Sequence, residues 1–259
     1  MLLTYIEKLV NQCFAVVPRR KPSSIQAQKT RLIAHRGAHD NAQKRFENTH
    51  AAFQLAQEVG CWGIEFDIQT TKDGVLMVNH DPTLHRLWGH PVAIADLNFN
   101  ELRKLEPGIP SLAEVIEQYS THMHLFIELK APFNHVQALL QILKTIEPIK
   151  DYHLLGLEPD ILKKLSQFPK EALLLVSGHN NNQAYCNLSL KQPYGGVLGS
   201  YLLMTNKQIA KFKAAGQVYG VGFVDSKFSL YRELNRGIEW VFTNQASRIS
   251  DYLKALDYL

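Results

Sequence analysis

Two histidines in this sequence each stand where a strand-like apolar segment ends. His35 follows residues 31–34 and is itself followed by Arg36, while His80 follows residues 75–79. Histidine can give and take a proton near neutral pH, and the arginine guanidinium can hold two phosphate oxygens at once. The pair His35 and Arg36 therefore indicates phosphoryl chemistry, and His80 supplies a second imidazole at a strand end.

Three carboxylates fall on two further strand-like segments. Glu65 and Asp67 alternate with apolar residues in segment 63–68, so both point to one face of the strand. Two unpaired buried carboxylates repel each other, so this face must meet water, a cation or a partner. Glu128 and Lys130 share a strand face in the same way, which adds a third carboxylate and a positive charge for a phosphate. All-oxygen ligands suit Mg²⁺ or Ca²⁺, and an exposed polar strand face is the alternative.

The nine other histidines lack such a setting, and we expect them to be surface or satisfied core residues. They are His39, His50, His85, His90, His122, His124, His135, His153 and His179.

The composition is that of a globular chain. Its 259 residues fit one large single-core fold, and 46% hydrophobic with 20% charged residues excludes a disordered or fibrous protein. The net charge of +4 is a weak argument for an anionic substrate and a poor one for nucleic acid. Three widely spaced cysteines predict neither a disulfide framework nor a zinc site, which favours a reducing compartment.

The first twenty residues carry an apolar stripe at roughly helical spacing, which ends at Pro18 and Pro22. This pattern predicts an amphipathic helix. The helix either plugs one end of the main domain, which so short a stripe favours, or touches a membrane with help from the basic residues at 19–21. We expect a linker at 21–30, which divides the chain into an N-terminal helix and linker, 1–30, and one main domain, 31–259.

No apolar stretch approaches the length of about 20 residues that a spanning helix needs. A signal peptide is also not expected, because the positive charges at 19–21 follow the apolar stretch instead of preceding it. We therefore expect an unprocessed, cytoplasmic protein, peripheral to a membrane only if the N-terminal helix docks there.

From residue 31 onward, short apolar strands alternate with amphipathic helices, which favours a mainly parallel α/β sheet. The nine candidate strands are 31–34, 63–68, 75–79, 124–129, 153–157, 172–176, 196–199, 218–222 and 239–243. The pattern favours a single (β/α)8 barrel of the TIM type over an open doubly wound sheet. A barrel has eight places, so one candidate must be a hairpin arm, an irregular piece or a mistake.

Two details of this barrel are predicted from local sequence. Helix 49–59 has Asn48 placed to cap it and Gly60 placed to end it. If segment 75–79 returned from 63–68 as a simple antiparallel hairpin, His80 would lie at the wrong end of the barrel. We therefore expect a crossover or an irregular strand in this region.

The motifs together resemble the glycerophosphodiester phosphodiesterase family over residues 32 to about 253. They are His35-Arg36-Gly37, Glu47-Asn48-Thr49, Glu65-x-Asp67, Thr71-Lys72-Asp73-Gly74, His80-Asp81 and Glu128-Leu129-Lys130, with similar segments at 109–112 and 237–244. The resemblance implies a phosphatidylinositol-phospholipase-C-like barrel. Its members hydrolyse glycerophosphodiesters to sn-glycerol 3-phosphate and an alcohol, so the implied partner is a small-molecule substrate.

The resemblance also implies a role for each matching residue. It implies a divalent cation, Mg²⁺ or Ca²⁺, on Glu65, Asp67 and Glu128, a general base and acid in His35 and His80, phosphate contacts from Arg36 and Lys130, and supporting positions for Glu47 and Asn48. We expect the cation to bridge the glycerol 2-hydroxyl and a phosphoryl oxygen while the histidines move protons. A cyclic phosphate would form and be opened by water. The order in which the histidines act stays open.

The chain departs from the family pattern at three strands. Phe223 stands in a Gly-Phe-Val-Asp stretch where a Trp-Thr-Val-Asn-like stretch is common, so we expect Phe223 to form the pocket wall. Asn244 stands where Asp is usual, and residues 155–157 stand where Ser-Phe is usual. We expect the last two changes to leave the chemistry untouched and all three to affect the preference for the alcohol.

Four questions stay open from the sequence. Segment 82–109, with Leu84 and Trp88, is either an apolar lid or a small satellite core. The substrate is either a small glycerophosphodiester or a lysophospholipid cleaved by a phospholipase D activity. A non-catalytic lipid-binding barrel is the rival from another class, and a metal-dependent sugar isomerase is a weaker one. The oligomeric state is also open.

Overall fold

Eight parallel strands close into a barrel in the computed structural model, which describes residues 2–178, 180–192 and 194–257. The strands are β1 (Arg31–His35), β2 (Gly63–Thr70), β3 (Leu76–Val78), β4 (His124–Leu129), β5 (Tyr152–Gly156), β6 (Leu173–Val176), β7 (Gly196–Ser200), β8 (Val218–Gly222) and β9 (Trp240–Thr243). Their order is β1-β9-β8-β7-β6-β5-β4-β2, and β1 pairs with β2 to close the ring, with β3 as an added arm. The predicted (β/α)8 barrel is confirmed.

Helices alternate with these strands and cover the outside of the barrel. They are α1 (Leu2–Val16), α2 (Ser24–Gln28), α3 (His50–Glu58), α4 (His85–Trp88), α5 (Phe99–Leu105), α6 (Leu112–Tyr119), α7 (Val136–Leu143), α8 (Pro159–Lys164), α9 (Asn182–Lys191), α10 (Asn206–Ala214), α11 (Lys227–Asn235) and α12 (Ala246–Asp257). Among the described helices, none is long and apolar enough to cross a membrane.

The ninth candidate strand, β3, is a hairpin arm that pairs antiparallel with residues 68–70 of β2. The pairing of β2 with β4 ends at Ile68, so the hairpin projects beyond the carboxyl end of the barrel wall. The returning chain reaches that rim again at Asn79, whose N–H donates to the carbonyl of Asp67 at 3.0 Å. The expectation that an antiparallel return would misplace His80 is therefore wrong, because the hairpin begins and ends at the same rim.

Helix α3 is capped by a different residue from the one predicted. Thr49 lies at the N-cap, and its hydroxyl accepts a hydrogen bond from the N–H of Ala52, while Asn48 has a left-handed backbone with φ of 60°. Gly60 ends the helix as predicted, with φ of 88°. A Cβ on Gly37 would lie 2.8 Å from the Cβ of Ala52, so only glycine lets the loop after β1 approach α3 this closely.

The barrel interior is filled in layers, as the alternation along β4 shows. His124, Phe126 and Glu128 follow one another inside the barrel from its amino end to its carboxyl end, while the residues between them face the helices. The middle layer is apolar. The layer at the carboxyl end contains the candidate site. The layer at the amino end contains His124 and His153, which are buried and hydrogen-bonded to each other. Both are therefore core residues.

The N-terminal region packs against the outer helices. Helix α1 contacts α11, and α2 contacts α11 and α12. Asn11, Gln12 and Ala15 of α1 also line a hollow with Phe223 and Asp225, near the carboxyl rim of the barrel. The predicted linker 21–30 contains α2, because Ser23 and Gln26 form a reciprocal capping box that starts a helix. The side-chain amide of Gln26 also donates to the carbonyl of Leu234 at 2.9 Å.

Segment 82–109 forms a satellite core. Leu84, Ile94 and Leu102 are fully buried there with Met77 and Ile109, in a cluster separate from the main core. The lid interpretation is therefore wrong for Leu84.

The three cysteines are free thiols, as expected, and Cys13 is the exposed one among them.

Candidate active site

Three carboxylates converge at the carboxyl end of the barrel. Glu65 and Asp67 come from β2 and Glu128 from β4, where Asp67 and Glu128 are paired in register. Each offers an oxygen within 4.8 Å of the others, and all three residues are buried. Oxygen Oε1 of Glu65 is buried without a hydrogen-bond partner. Three carboxylate oxygens this close together suit a divalent cation such as Mg²⁺ or Ca²⁺. The buried oxygen of Glu65 that has no hydrogen-bond partner is available to bind one.

The negative charge of the three carboxyl groups exceeds the positive charge around them, and a bound cation would balance it. Burial, together with the nearby charges of Asp67 and Glu128, raises the pKa of Glu65 well above its usual range. Burial and Asp67 also raise the pKa of Glu128. Burial acts on Asp67 in the same direction, but Lys130 and Arg36 outweigh it and lower the pKa of that carboxyl. Two of the three carboxyl groups thus lack sufficient positive charge around them to stay ionised as readily as they would in water.

Lys130 follows β4 and reaches back into the cluster. Its Nζ lies 2.6 Å from Oδ1 of Asp67 and also donates to Oε1 of Glu128. The ammonium therefore lies between two of the predicted ligands, at the place where the sequence predicted a charge for a phosphate.

Arg36 is held in a strained conformation by three carboxylates. Its backbone φ is 56°, its N–H donates to Oε2 of Glu65 at 3.1 Å, and its Nε lies 3.2 Å from Oδ2 of Asp67. Its Nη1 donates to Oε1 of Glu47 at 2.9 Å. The side-chain amide of Asn48, also at positive φ, donates to Oδ2 of Asp67 at 2.8 Å. Such backbone strain is maintained where surrounding contacts over-determine the geometry, as they do here.

Glu47 lies behind Arg36 and pairs with a second arginine. Its Oε1 lies 2.7 Å from Nη2 of Arg86, and the guanidinium of Arg86 also contacts Asp81. Although burial opposes it, the two arginines lower the pKa of Glu47 to about 2. Glu47 is therefore ionised and fixes Arg36 from the side remote from the carboxylate cluster.

His35 is half-buried, with 15% of its side chain exposed, and its hydrogen bonds define its tautomer. Its Nδ1 lies 2.7 Å from Oδ1 of Asn244, whose Nδ2 donates to a carboxylate oxygen of Asp225 at 3.2 Å. Since a carboxylate accepts only, the amide oxygen of Asn244 must face His35 and accept from Nδ1–H. The bare Nε2 then lies 3.7 Å from Oε2 of Glu65. Burial and the charge of Arg36 lower the pKa of His35 to about 4, so it is neutral at pH 7.

His80 has an ionised partner instead of an amide. Its Nδ1 lies 2.7 Å from Oδ1 of the next residue, Asp81, and its carbonyl accepts from the amide of Gln69 at 2.9 Å. Asp81 in turn contacts Arg86. A chain of contacts through Asp81, Arg86 and Glu47 therefore joins His80 to Arg36.

A mainly apolar pocket of about 210 Å³ lies between Glu65 and Glu128 of the carboxylate cluster and the carboxyl ends of the later strands. It is lined by His35, Glu65, Glu128, Leu155, Val176, Ser177, Leu198, Gly199, Ser200, Gly222, Phe223 and Phe242. The ring of Phe223 lies 4.2 Å from that of His35, and 44% of its surface is exposed. Phe223 thus lines the pocket wall, where the sequence predicted it.

The structure brings the predicted residues to one rim of the barrel and adds further residues to them. The sequence predicts that Asn244 leaves the chemistry untouched, and the structure adds that its side chain contacts His35 directly. Asp225, Asp81 and Arg86 were not among the predicted site residues. Asp81 could have been found from the sequence, because it directly follows the strand-end residue His80. Nothing in the local sequence points to Asp225 or Arg86. The predicted surface or core residue His179 lies outside the described residues.

The fold is a (β/α)8 barrel with buried carboxylates and two histidines at its carboxyl rim, and comparison with known proteins gives its family. Residues 35–247 match the model of the glycerophosphoryl diester phosphodiesterase family, and the chain belongs to that family.

Three relatives illustrate the similarity. A curated glycerophosphodiester phosphodiesterase from Caldanaerobacter subterraneus subsp. tengcongensis is 38% identical over 137 residues, which are 48% of this chain and 54% of that protein. The match thus spans about half the length of that relative. The crystal structure of a glycerophosphodiester phosphodiesterase from Thermotoga maritima has a TM-score of 0.72 at 26% identity, covering 86% of this chain and 97% of that one. An Oleispira antarctica phosphodiesterase, solved with the product sn-glycerol-3-phosphate, has a TM-score of 0.74 at 23% identity, covering 90% and 99%.

Proposed function

We propose that this protein hydrolyses glycerophosphodiesters to sn-glycerol 3-phosphate and an alcohol, with a divalent cation as cofactor. The observation that carries the proposal is the buried cluster of Glu65, Asp67 and Glu128, with two differently partnered histidines and Arg36 at the same barrel rim. Membership of the family supports the reaction class, and the bound product of the Oleispira antarctica relative is consistent with the substrate.

Glu65, Asp67 and Glu128 would hold the cation. Bound there, Mg²⁺ or Ca²⁺ would supply positive charge that draws electron density from a phosphoryl oxygen and an attacking hydroxyl. Lys130, which now neutralises Asp67 and Glu128, would then be free to contact a phosphate oxygen. Arg36 would offer its remaining N–H donors to the same phosphate.

His35 is suited to act first as the general base. It is neutral at pH 7, its proton is on Nδ1, and its bare Nε2 faces the carboxylate cluster. In the first step Nε2 would take the proton of the glycerol 2-hydroxyl while that oxygen attacks phosphorus. Asn244 would hold the ring in place during the transfer.

His80 is left as the general acid. It would donate a proton to the alkoxide oxygen as the bond between phosphorus and the alcohol breaks, with Asp81 holding its Nδ1. The product of this step is a five-membered cyclic phosphate. Water would then open the ring with the two histidines in exchanged roles, which returns each to its starting protonation state.

A second candidate function is the cleavage of lysophospholipids by the same chemistry. The apolar side of the pocket, with Leu155, Val176, Leu198 and the exposed ring of Phe223, favours it, because an acyl chain needs an apolar path from the site. Peripheral membrane contact through residues 1–21 and a cytoplasmic location stay predictions.

The test is release of glycerol 3-phosphate by the purified full chain. Glycerophosphocholine and glycerophosphoethanolamine would be compared with lysophosphatidylcholine, each with Mg²⁺, with Ca²⁺ and with chelator. We expect cation-dependent release from the small diesters. Choline release from lysophosphatidylcholine alone would favour the second candidate.

The matched variants are His35→Ala and His122→Ala. His35→Ala should reduce kcat by about 10²- to 10⁴-fold, the usual contribution of a general base. His122 is exposed and remote from the site, so its variant should keep full activity. Unchanged turnover in His35→Ala, or turnover that resists chelation, would contradict the proposal.

A further inference from the structure

Helix α1 presents an apolar face that no other described part of the chain covers. Leu9, Cys13 and Val16 follow one another at intervals of four and three residues, which places them on one side of the helix. Cys13 is exposed, and Leu9, Val16 and the following Val17 expose 45%, 71% and 43% of their surfaces. Side chains of this kind on one helix face are rarely left to water without a partner.

The opposite face of α1 is already in use. The ring of Phe14 packs edge-on against Tyr201 at 6.0 Å, and the guanidinium of Arg232 lies 4.8 Å above the same ring. The side-chain oxygen of Asn11 accepts a hydrogen bond from the hydroxyl of Tyr201. These contacts fix the helix on the barrel, so its exposed face cannot also pack there.

Two exposed arginines lie near the carboxyl end of this apolar face. Arg19 and Arg20 follow α1 after two intervening residues, and the guanidinium of Arg19 lies 5.4 Å over the ring of Phe14. With Arg232 and Arg236 of α11 they line one surface hollow. Arg232 and Arg236 share the buried carboxylate of Glu233. Within the described ranges, no carboxylate lies in ion-pair distance of Arg19 or Arg20. The surface therefore combines exposed aliphatic side chains with uncompensated positive charge.

We propose that this surface, formed by Leu9, Cys13, Val16, Val17, Arg19 and Arg20, docks onto an anionic phospholipid bilayer. Aliphatic side chains beside arginines match the two layers of a bilayer surface, where hydrocarbon lies under negatively charged phosphates. A second copy of this chain fits less well, because a two-fold contact through this surface would gather four arginines and no carboxylate of the named residues in one interface.

Helix α1 lies beside the entrance of the active site, with the docking surface on its outer side. Phe223, which lines the active-site pocket, also lines a hollow together with Asn11, Gln12 and Ala15 of α1. Docking through the outer face of α1 would therefore bring the entrance close to the membrane. The docking proposal itself does not depend on the hydrolytic one.

Cys13 allows the proposal to be tested without any measurement of activity. The other two thiols, Cys61 and Cys186, are buried, so an environment-sensitive fluorophore would label Cys13 selectively in the folded full chain. Labelled protein would be titrated with vesicles of phosphatidylcholine alone and with vesicles containing phosphatidylglycerol. Flotation of the unlabelled protein with the same vesicles excludes an effect of the label.

We expect a blue shift and flotation only with phosphatidylglycerol vesicles, and loss of both at high salt. The double variant Arg19→Glu with Arg20→Glu should weaken partitioning by at least about 30-fold, since each arginine near such a surface contributes several-fold. Val16→Asp should weaken it as well. The matched controls are Lys144→Glu with Lys170→Glu, and Leu105→Asp, which change the same charge or an equally apolar exposed residue elsewhere.

Three results would overturn the proposal. One is the absence of binding to phosphatidylglycerol vesicles, and another is equal binding to neutral vesicles. The third is an equal loss of binding in the control variants.

Discussion

The side-chain oxygen of Asn244 accepts a hydrogen bond from Nδ1 of His35 at 2.7 Å, across 209 positions in sequence. Asp225 fixes the orientation of that amide by accepting from its Nδ2. The contact leaves the Nε2 lone pair of His35 available on the side of the carboxylate cluster. A neutral partner also adds no charge that would stabilise a protonated ring, unlike an aspartate at the same position.

Replacing Asn244 with Asp should therefore change the pH dependence of turnover. The base form of His35 is the neutral one, so kcat/KM falls as the pH drops through its pKa of about 4. A carboxylate at position 244 favours the imidazolium and should raise that pKa, moving the acid limb to higher pH by about 1 to 2 units. The measurement is kcat/KM from about pH 4 to about pH 8. An acid limb that stays in place in Asn244→Asp would reject His35 as the base.

Asp81 should act as a positioning residue for His80. Asp81→Asn keeps the size of the side chain but loses the charge that holds both Nδ1 of His80 and Arg86. We expect kcat to fall about 10- to 100-fold, with a smaller change in KM. Asp96→Asn, at an exposed position in the same region, is the matched control. A substrate whose alcohol leaves readily without protonation should restore most of the loss, whereas a merely structural defect would not be restored.

The carboxylate cluster should gain stability from a divalent cation. At a concentration about 100-fold above Kd, the cation would add about 2.7 kcal/mol, or a rise in Tm of about 5 to 10 °C for a chain of this size. Glu65→Gln removes a buried carboxyl whose ionised form lacks compensating positive charge. We therefore expect its Tm without metal to equal or exceed that of the unchanged chain, and its response to metal to vanish. Thermal unfolding with Mg²⁺, Ca²⁺ and chelator provides the measurement.

The exposed Glu58 supplies the control for that experiment, since Glu58→Gln removes the same charge from a solvated helix face. It should keep the full response to metal. A response that persists in Glu65→Gln would place the cation elsewhere.

The buried pair His124 and His153 should make the fold sensitive to acid. His124 donates from Nδ1 to the carbonyl of Lys150, so its Nε2 accepts from Nδ1–H of His153 at 2.7 Å, and both rings are neutral. Burial lowers the pKa of His124 to about 4, and burial with the neighbouring His124 lowers that of His153 to about 3. The unfolded chain therefore binds more protons below its ordinary histidine pKa of about 6.5.

The free energy of unfolding should accordingly be highest above about pH 6.5 and fall as the pH drops towards 4. Each histidine contributes a slope of about 1.4 kcal/mol per pH unit in that window. Denaturant unfolding at several pH values measures it. His153→Gln should lower the slope by about 1.4 kcal/mol per pH unit, while the exposed His122→Gln should leave it unchanged. An unchanged slope in His153→Gln would show that the pair is not the source.

Strand alternation explains why the metal-ligand candidates are predictable from sequence. Glu65, Asp67 and Glu128 lie on strands whose apolar residues identify the inner and outer faces, and parallel strands end at a common rim. The same reasoning places His35 at that rim. These predictions depend only on local pattern and on the closure of the barrel.

The residues that orient the histidines follow from long-range geometry instead. Asn244 reaches His35 because β9 pairs with β1, and Arg86 reaches Glu47 from a helix in the satellite core. No local pattern indicates either contact. The hairpin at β3 was misjudged because its position relative to the rim depends on how far β2 extends past β4, which the alternation of residues does not reveal.

The most direct test of the central claim compares two substrates that differ at a single hydroxyl. Ethanolamine release would be measured from glycerophosphoethanolamine and from its analogue without the 2-hydroxyl, with Mg²⁺ or Ca²⁺ and with chelator. If His35 activates that hydroxyl beside Glu65, Asp67 and Glu128, release will require both the hydroxyl and the cation. Comparable release from the analogue, or release that persists in chelator, would contradict the account.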